Sequence, residues 1–489
     1  MTVFSSAHPP DTLLSCGAMA DCDRLTIERG TPGFTLMLRA GQGAARHIRR
    51  AFHPTEVLVA CGPGNNGGDG FVIADDLRRH GWNVRVALLG SADRLTGDAA
   101  QARALWDEPV EQLSVGLLDG AGLLVDALFG AGLARPIEGE VAAFLARAAG
   151  RAASGRLRVA AVDVPSGVQG DTGAVLGTAC PADLTLTFHR RKPGHVLYPG
   201  RDICGGIRVI DIGIDAAAMA SVDPTARVIG PALWADRLLP AGPQDHKYSR
   251  GHVLVLAGKM PGAARLAARA ARRMGAGLTT VCAADDHVGL IAGDAPGLIV
   301  QGVPDDLPAF AVARKVAAVV AGPGLGRGPE AERVAEAVLA CDIPMVLDAD
   351  VFSLFAGRGL PACAPAVLTP HGGEFARFFP DIDVDAVGRV AAAAWAAEEC
   401  GQTVLLKGPD TTVAAPDGQS AILDGAPPTL ATGGTGDVLA GAIAALLGHG
   451  LPPFEAACAG AWHHREAARR LGGRSLIAED LADALAATV

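Results

Sequence analysis

The chain has 489 residues, 49 % of them hydrophobic, and a formal charge of −10. A prior of about 150 residues per domain gives two to three domains, and two large α/β domains fit that length best. The acidic balance leaves no electrostatic footprint for nucleic acid, no apolar run reaches the roughly 18 residues of a membrane helix, and ten cysteines without a C-x-x-C pair argue against zinc and disulfide frameworks.

The N-terminal MTVFSSAHPPDTLL has no basic region before an apolar core, so no secretory signal is expected and a reducing cytoplasm is the expected compartment. Short β-branched runs then alternate with Ala/Leu/Arg stretches of helical period. EVLVACG reads as a strand, followed by the glycine-rich turn CGPGNNGGDG (61–70) and a helix from near Gly70, GFVIADDLRRHG, closed by Gly81. NVRVALLG, AGLLVDALFG (ending at Asp126), RVAAVDVPSG (ending at Asp163), ADLTLTFH and GIRVIDIGI read as further strands. This alternation predicts a parallel sheet covered on both faces.

Ligands of open parallel sheets sit beyond the carboxyl ends of the strands. Three such ends carry polar groups: Asn65, Asn66 and Asp69; Asp126 with GAGLARP; and Asp163 with Ser166. Glycines 62, 64, 67, 68 and 70 are expected to let the backbone approach a bound group. The helix N-terminus adds about 0.3–1 kcal/mol for an anion, so a phosphate-bearing guest is expected. Oxygens of Asn66, Asp126 and Ser166 suit a hard cation, and no His or Cys joins them. Taken singly each has a plainer reading: glycine-rich turns are common, Asp126 could cap a helix, and Ser166 could cap a turn. The loop is neither a Walker A nor a G-x-G-x-x-G sequence.

Together GPGNNGGDG, DALFGAGL, DVPSG and KPGHVLYPGR with IDIGI resemble the NAD(P)H-hydrate epimerase family, with its Rossmann-like fold, over roughly residues 12–220. The resemblance implies potassium held by Asn66, Asp126 and Ser166. It implies hydrate contacts from Asn65, Asn66, Gly67, Gly68 and Asp69 and from Gly130, Ala131, Gly132, Leu133, Ala134, Arg135 and Pro136. Asp163 is then expected at the reacting ring, shuttling a proton through a ring iminium. TPGFTLMLRAG is similar to the family's N-terminal helix, with Leu38 at a position that is usually acidic.

Between about 214 and 245 the pattern loosens into Pro, Gly and short polar residues, a linker or border. The expected domains are 1–222 and 223–489. A second alternating block follows: HVLVLAG, a helix AARLAARAARRMG ended by Gly275, LTTVCAA, VAAVVAGPG, IPMVLDAD, AVLTP, TVLLKG, then Ala-rich helices. Strand ends carry AGPGLG, Asp348 and Asp350, His371 and Glu374, and Lys407 and Thr411. His371 with Glu374 makes a poor metal site, and His463 and His464 read as ordinary residues of a helix. In ATGGTGDVLAGAIAALLG, Asp437 opens a long apolar helix behind a turn of successive N–H groups, an anion hole for a transferring phosphoryl. A carboxylate there can take the proton of an attacking hydroxyl. Asp is equally a favoured helix cap; the flanking glycines tilt the choice.

These motifs resemble the ADP/ATP-dependent NAD(P)H-hydrate dehydratases, of ribokinase-like fold, over roughly residues 245–489. The resemblance implies that Ala263, Gly324, His371 and Asp437 touch the hydrate, and that Lys407, Gly408, Pro409, Asp410, Thr411 and Gly436 hold ADP or ATP with Mg²⁺. The family's His-Pro-Gly-Glu reads His371-Gly372-Gly373-Glu374 here. The expected function is therefore nicotinamide nucleotide repair: epimerisation of R and S NAD(P)H hydrate, and dehydration of the S form at the expense of ADP or ATP. The competing expectation is a ribokinase-like small-molecule kinase fused to a non-catalytic nucleotide-binding module. Expected partners are the hydrates and the nucleotide, without nucleic acid or membrane, in a homo-oligomer.

Overall fold

A computed structural model of the chain describes residues 9–238, 242–473 and 475–489. Residues 1–8 of the stretch read for a leader, and 239–241 of the expected linker, lie outside the described residues. The chain divides into two compact units between Arg227 and Val228.

In the first unit a short strand β1 (Thr12–Leu13) precedes seven parallel strands: β2 (Glu56–Cys61), β3 (Asn83–Leu88), β4 (Val110–Gln112), β5 (Leu123–Ala127), β6 (Arg158–Val162), β7 (Leu184–Phe188) and β8 (Gly206–Ile210). Their order is β4-β3-β2-β5-β6-β7-β8. The chain runs outward from β2 in one direction and from β5 in the other, so the loops after β2 and β5 diverge and leave a crevice between them. Alternate residues of β2 face opposite layers. Val57 and Val59 pack with Ile48, Phe71 and Ile73 from the helices Gly33–Ala51 and Asn65–Arg79, whereas Leu58 and Ala60 pack with Phe144 and Leu145 from the helix Gly139–Ala153. After β8, strand β9 (Ala226–Val228) returns to pair with β1 through Thr12↔Arg227 and Leu13↔Ala226. That pairing carries the first unit past the border expected at 222/223.

The turn read at 61–70 is largely helix. The helix begins at Asn65, after Gly64 in extended conformation (φ −111°, ψ −163°), rather than near Gly70. Asn65, Asn66 and Asp69 are thereby placed in its first turns. The glycines have a different task from the one expected. A Cβ on Gly62 would collide with the Leu128 carbonyl oxygen, and one on Gly67 with the Gly62 carbonyl oxygen. A Cβ on Gly68 would lie 2.7 Å from Met37, one on Gly70 would lie 2.8 Å from Ala127 and Cys61, and only Gly64 of the five faces open space. Four of the five let the helix start pack closely against its surroundings, and Gly64 is left facing open space.

The second unit has parallel strands β10 (His252–Leu256), β11 (Leu278–Ala283), β12 (Ile299–Gly302), β13 (Ala318–Ala321), β14 (Met345–Leu347), β15 (Ala366–Leu368) and β16 (Thr403–Leu406), and an antiparallel edge of β17 (Thr412–Ala414) and β18 (Ser420–Ile422). Within the unit the order is β18-β17-β16-β15-β14-β13-β10-β11-β12. Val253 and Val255 pack beneath the helices Pro261–Arg273, Thr435–Gly448 and Pro453–Leu471; Leu254 and Leu256 face the layer of Pro329–Leu339 and Arg389–Cys400. Both units are thus three-layer α/β structures. Among the described residues no helix is long and apolar enough to cross a membrane.

Gly67→Ala, which must displace backbone, is expected to destabilise the first unit by about 1–3 kcal/mol, and Gly64→Ala, facing open space, to leave the urea unfolding midpoint nearly unchanged. Equal midpoints for the two variants would show that the glycine run has no packing role.

Candidate active sites

A cavity of about 790 Å³ opens at the carboxyl ends of β2, β5 and β6. Asn65, Asn66, Asp69, Gly130, Ala131, Gly132, Leu133, Ala134, Arg135 and Asp163 line it, joined by Cys16, Asp23 and Lys192. Gly67, Gly68 and Pro136, expected to touch the ligand, are not in its wall: the two glycines are buried beneath the helix start and Pro136 is exposed beyond the loop.

Asp163 is the most constrained residue of this cavity. It follows β6 with φ +65°, a left-handed conformation uncommon outside glycine. Its Oδ1 accepts from Lys192 Nζ at 2.5 Å and from Thr187 Oγ1 at 3.0 Å, and its Oδ2 from the Ala131 N–H at 3.0 Å. Burial works against its charge, but the Lys192 ammonium outweighs it, and the carboxyl is held down at about 2. His195 accepts from the Lys192 N–H through Nδ1 and donates from Nε2 to the Asp163 carbonyl at 2.8 Å. Burial, reinforced by Lys192, pushes its pKa down to about 4, so it is a neutral brace near pH 7. Lys192, Thr187 and His195 were not singled out from the sequence. The signal was in KPGH, where a basic residue and a histidine follow a strand with an acidic neighbour.

Asp126 and Ser166 do come together. Asp126 is fully buried; its Oδ1 accepts from Ser166 Oγ at 2.6 Å and its Oδ2 from the Ser166 N–H at 2.9 Å. Ser166 Oγ in turn accepts from the Phe129 N–H at 3.0 Å. Burial raises the Asp126 carboxyl, opposed only by the neutral Ser166 donors and the Leu128 N–H at 3.3 Å; among the described residues no basic side chain pairs with it. Asn66 lies beside Gly130 and Asp163, with a buried Nδ2 that has no partner. A buried carboxyl met only by neutral donors, with the Ser166 hydroxyl oxygen beside it, is a chemical fit to a hard cation. Asp126 caps no helix.

In the second unit β13, β14, β15 and β16 are consecutive in the sheet, and their ends bring together AGPGLG, Asp348, His371 and Lys407. Lys407 Nζ is 2.7 Å from Asp348 Oδ1 and 4.0 Å from Glu374 Oε2. Burial disfavours the ammonium, but Asp348, Glu374 and Asp437 outweigh it and raise Lys407. Ala349, just after Asp348, is left-handed at φ +48°. His371 caps the helix Gly372–Phe378 in a reciprocal box: its Nδ1 accepts from the Gly373 N–H while Glu374 accepts from the His371 N–H. The ring is exposed, with its Nε2 3.4 Å from Glu374 Oε1. Gly324 sits against Met260 and Ala263.

The helix Thr435–Gly448 starts from Gly434 (φ +89°) with no side-chain cap bond, so Asp437, in its first turn, does not act as the cap. Burial, then the charge of Asp348, raises its carboxyl to about 6 against the pull of Lys407. Gly436 stands beside Lys407: a Cβ there would lie 3.3 Å from Nζ. Two expected nucleotide contacts are otherwise engaged. Asp410 is buried against Arg389 at 2.9 Å, and Thr411 Oγ1 donates to the Gly408 carbonyl at 3.0 Å, closing the turn. His464, fully enclosed, hydrogen-bonds the Thr435 carbonyl at 2.9 Å and steadies the helix start.

The family model described as NAD(P)H-hydrate dehydratase matches residues 253–489, and that of the YjeF-related protein N-terminus matches residues 33–194. The chain is 39 % identical to the bifunctional NAD(P)H-hydrate repair enzyme Nnr of Salinibacter ruber, over 97 % of this chain and 95 % of that one. It belongs to the bifunctional NAD(P)H-hydrate repair enzymes. The Coxiella burnetii member is 37 % identical over 94 % and 96 % of the two chains. A solved ribokinase-like superfamily protein from Enterococcus faecalis, 25 % identical, aligns with 54 % of this chain and 95 % of its own at a TM-score of 0.50.

Lys192→Met leaves the Asp163 charge unpaired and is expected to destabilise the first unit by about 3–5 kcal/mol, with the double variant Lys192→Met/Asp163→Asn recovering most of the loss in a denaturant cycle. Strict additivity of the two changes would refute the pair.

Proposed function

We propose that the first unit interconverts the R and S epimers of NADH and NADPH hydrate, and that the second removes water from the S epimer using ADP or ATP. The observation that carries the second activity is Asp437: a carboxyl raised to about 6, beside Lys407, at a helix start that it does not cap. Its hydrogen-bonding capacity remains for a substrate.

In the hydrate, water has added across the C5–C6 bond of the nicotinamide ring. Hydroxide is a poor leaving group. Asp437 takes the proton of the C6 hydroxyl, whose oxygen attacks the terminal phosphorus of the nucleotide as the bond to the bridging oxygen breaks and AMP (from ADP) or ADP (from ATP) leaves. The N–H groups of the 433–436 turn, with Lys407, meet the phosphoryl charge. The ring nitrogen then expels phosphate, and loss of the C5 proton restores NAD(P)H. Ala263, Gly324 and His371 are assigned to the hydrate, and Lys407, Gly408, Pro409 and Gly436 to the nucleotide. Bound with the nucleotide, Mg²⁺ would neutralise phosphate charge near Asp348, Asp350 and Glu374; among the described residues no three His, Cys, Asp or Glu side chains form a resident metal site.

In the first unit Asn65, Asn66, Asp69 and the 130–135 loop are assigned to the hydrate. Asn66, Asp126 and Ser166 would hold potassium, which would offset the buried Asp126 charge. Asp163 is held ionised by Lys192, so its assigned task is to stabilise a ring iminium cation. Held ionised, it is unsuited to donate the first proton of the shuttle expected of it. The domains proposed from the sequence, 1–222 and 223–489, carry these two assignments.

Asp437→Ala is expected to lower S-hydrate dehydration by about 10²–10⁴-fold while R and S still interconvert, as resolved by chromatography; unimpaired dehydration would overturn the assignment. Only ionised Asp437 accepts a proton, so the saturating dehydration rate is expected to be level above about pH 6 and to fall about tenfold per unit below it. A profile flat to pH 5 would contradict the base role.

A further inference from the structure

Epimerisation requires a group that can hand a proton to the departing C6 oxygen, and Asp163 is poorly placed to be that group. Its two oxygens already take three donors, one of them an ammonium at 2.5 Å. Asp23 differs. It stands on the helix Cys16–Glu28 in the wall of the 790 Å³ cavity, and its Oδ1 is enclosed without a hydrogen-bond partner. The other charged groups of that wall are Asp69 from the helix Asn65–Arg79, Asp98, Arg135, Asp163 and Lys192. An enclosed carboxyl oxygen without a donor favours the protonated form or a bond to a bound ligand.

We propose that Asp23 is the acid–base group of the epimerisation, protonating the leaving C6 hydroxyl while the Asp163 carboxylate balances the ring cation. The proposal rests on the epimerase reading of the first unit. The ring nitrogen lone pair forms the C6=N bond and the C6–O bond breaks onto oxygen. That oxygen takes the Asp23 proton and departs as water, leaving iminium and Asp23 carboxylate. A water adds to C6 from the opposite face and releases one proton to solvent; the C=N electron pair returns to nitrogen, and Asp23 regains a proton from solvent. Atoms and charge balance with water alone. Burial raises the Asp23 carboxyl to about 6, with Lys192 opposing and Asp163 reinforcing. Both directions start from the protonated form, so the enzymic rate should decline as pH rises through that value.

The test measures R/S exchange by the full chain, without nucleotide, from pH 5 to 8.5, with uncatalysed exchange subtracted. Asp23→Asn is expected to slow exchange by about 10²–10⁴-fold, to leave the KM for the hydrate within a few-fold, and to remove the decline near pH 6. Asp23→Glu, which keeps the carboxyl, should restore part of the rate and the decline. Nucleotide-dependent dehydration of the S epimer should be unchanged in both variants. Wild-type exchange by Asp23→Asn, or equal loss in Asp23→Asn and Asp23→Glu, would overturn the acid–base role. Failure of the unaltered chain to exchange the epimers would instead overturn the epimerase reading itself.

Discussion

A carboxylate buried at the end of a parallel strand must be met by a cation or fenced by donors, and both units are organised around that demand. Asp163 is met by Lys192 and Asp348 by Lys407, each lysine itself largely withdrawn from solvent. A left-handed non-glycine residue marks each place: Asp163 itself, and Ala349 beside Asp348. Such conformations cost on the order of 1–3 kcal/mol each and persist only where the surroundings over-determine them. Asp126 is the exception that completes the pattern. Among the described residues it has only neutral donors, which suits it to an added cation.

The pairing also divides labour among acidic groups that look alike in the sequence. Asp163, locked to Lys192, stays ionised and suits positioning and charge stabilisation. Those without such a partner are raised by burial: Asp69 and Asp126 in the first unit, and Asp23 and Asp437 to about 6, where a proton can be gained and lost near neutrality. Each unit thus holds a lysine-paired carboxylate and a carboxyl raised to about 6. Two steps of different chemistry, one displacing water and one displacing phosphate, are served by the same arrangement.

The strands and their polar ends were legible because each apolar run stops abruptly at Asp, Asn, His or Lys. Asp126 with Ser166, and Lys407 beside Gly436, could be placed from motifs alone. The helix start at Asn65 was hidden because Asn and Gly are poor helix formers, and close packing against Leu128 and Ala127 overrides that propensity. For the same reason Gly67 and Gly68 looked like ligand contacts. Lys192 escaped because its partner lies 29 residues away in sequence, and Asp23 because an aspartate on an amphipathic helix reads as a solvated residue until the fold turns it into a cavity. The engagement of Asp410 was hidden because nothing local announces Arg389 as its buried partner.

The central claim is that the second unit makes a stubborn hydroxyl leave by first loading it with phosphate. Its most direct test is to supply a mixture of R and S hydrated NADH, with ADP or ATP and Mg²⁺, to the full chain and follow near-ultraviolet absorbance together with released phosphate. Complete recovery of NADH from both epimers, with one phosphate released per NADH formed, is the predicted result. Accumulation of a stable phosphorylated dinucleotide without return of NADH absorbance would contradict it and mark the unit as a kinase.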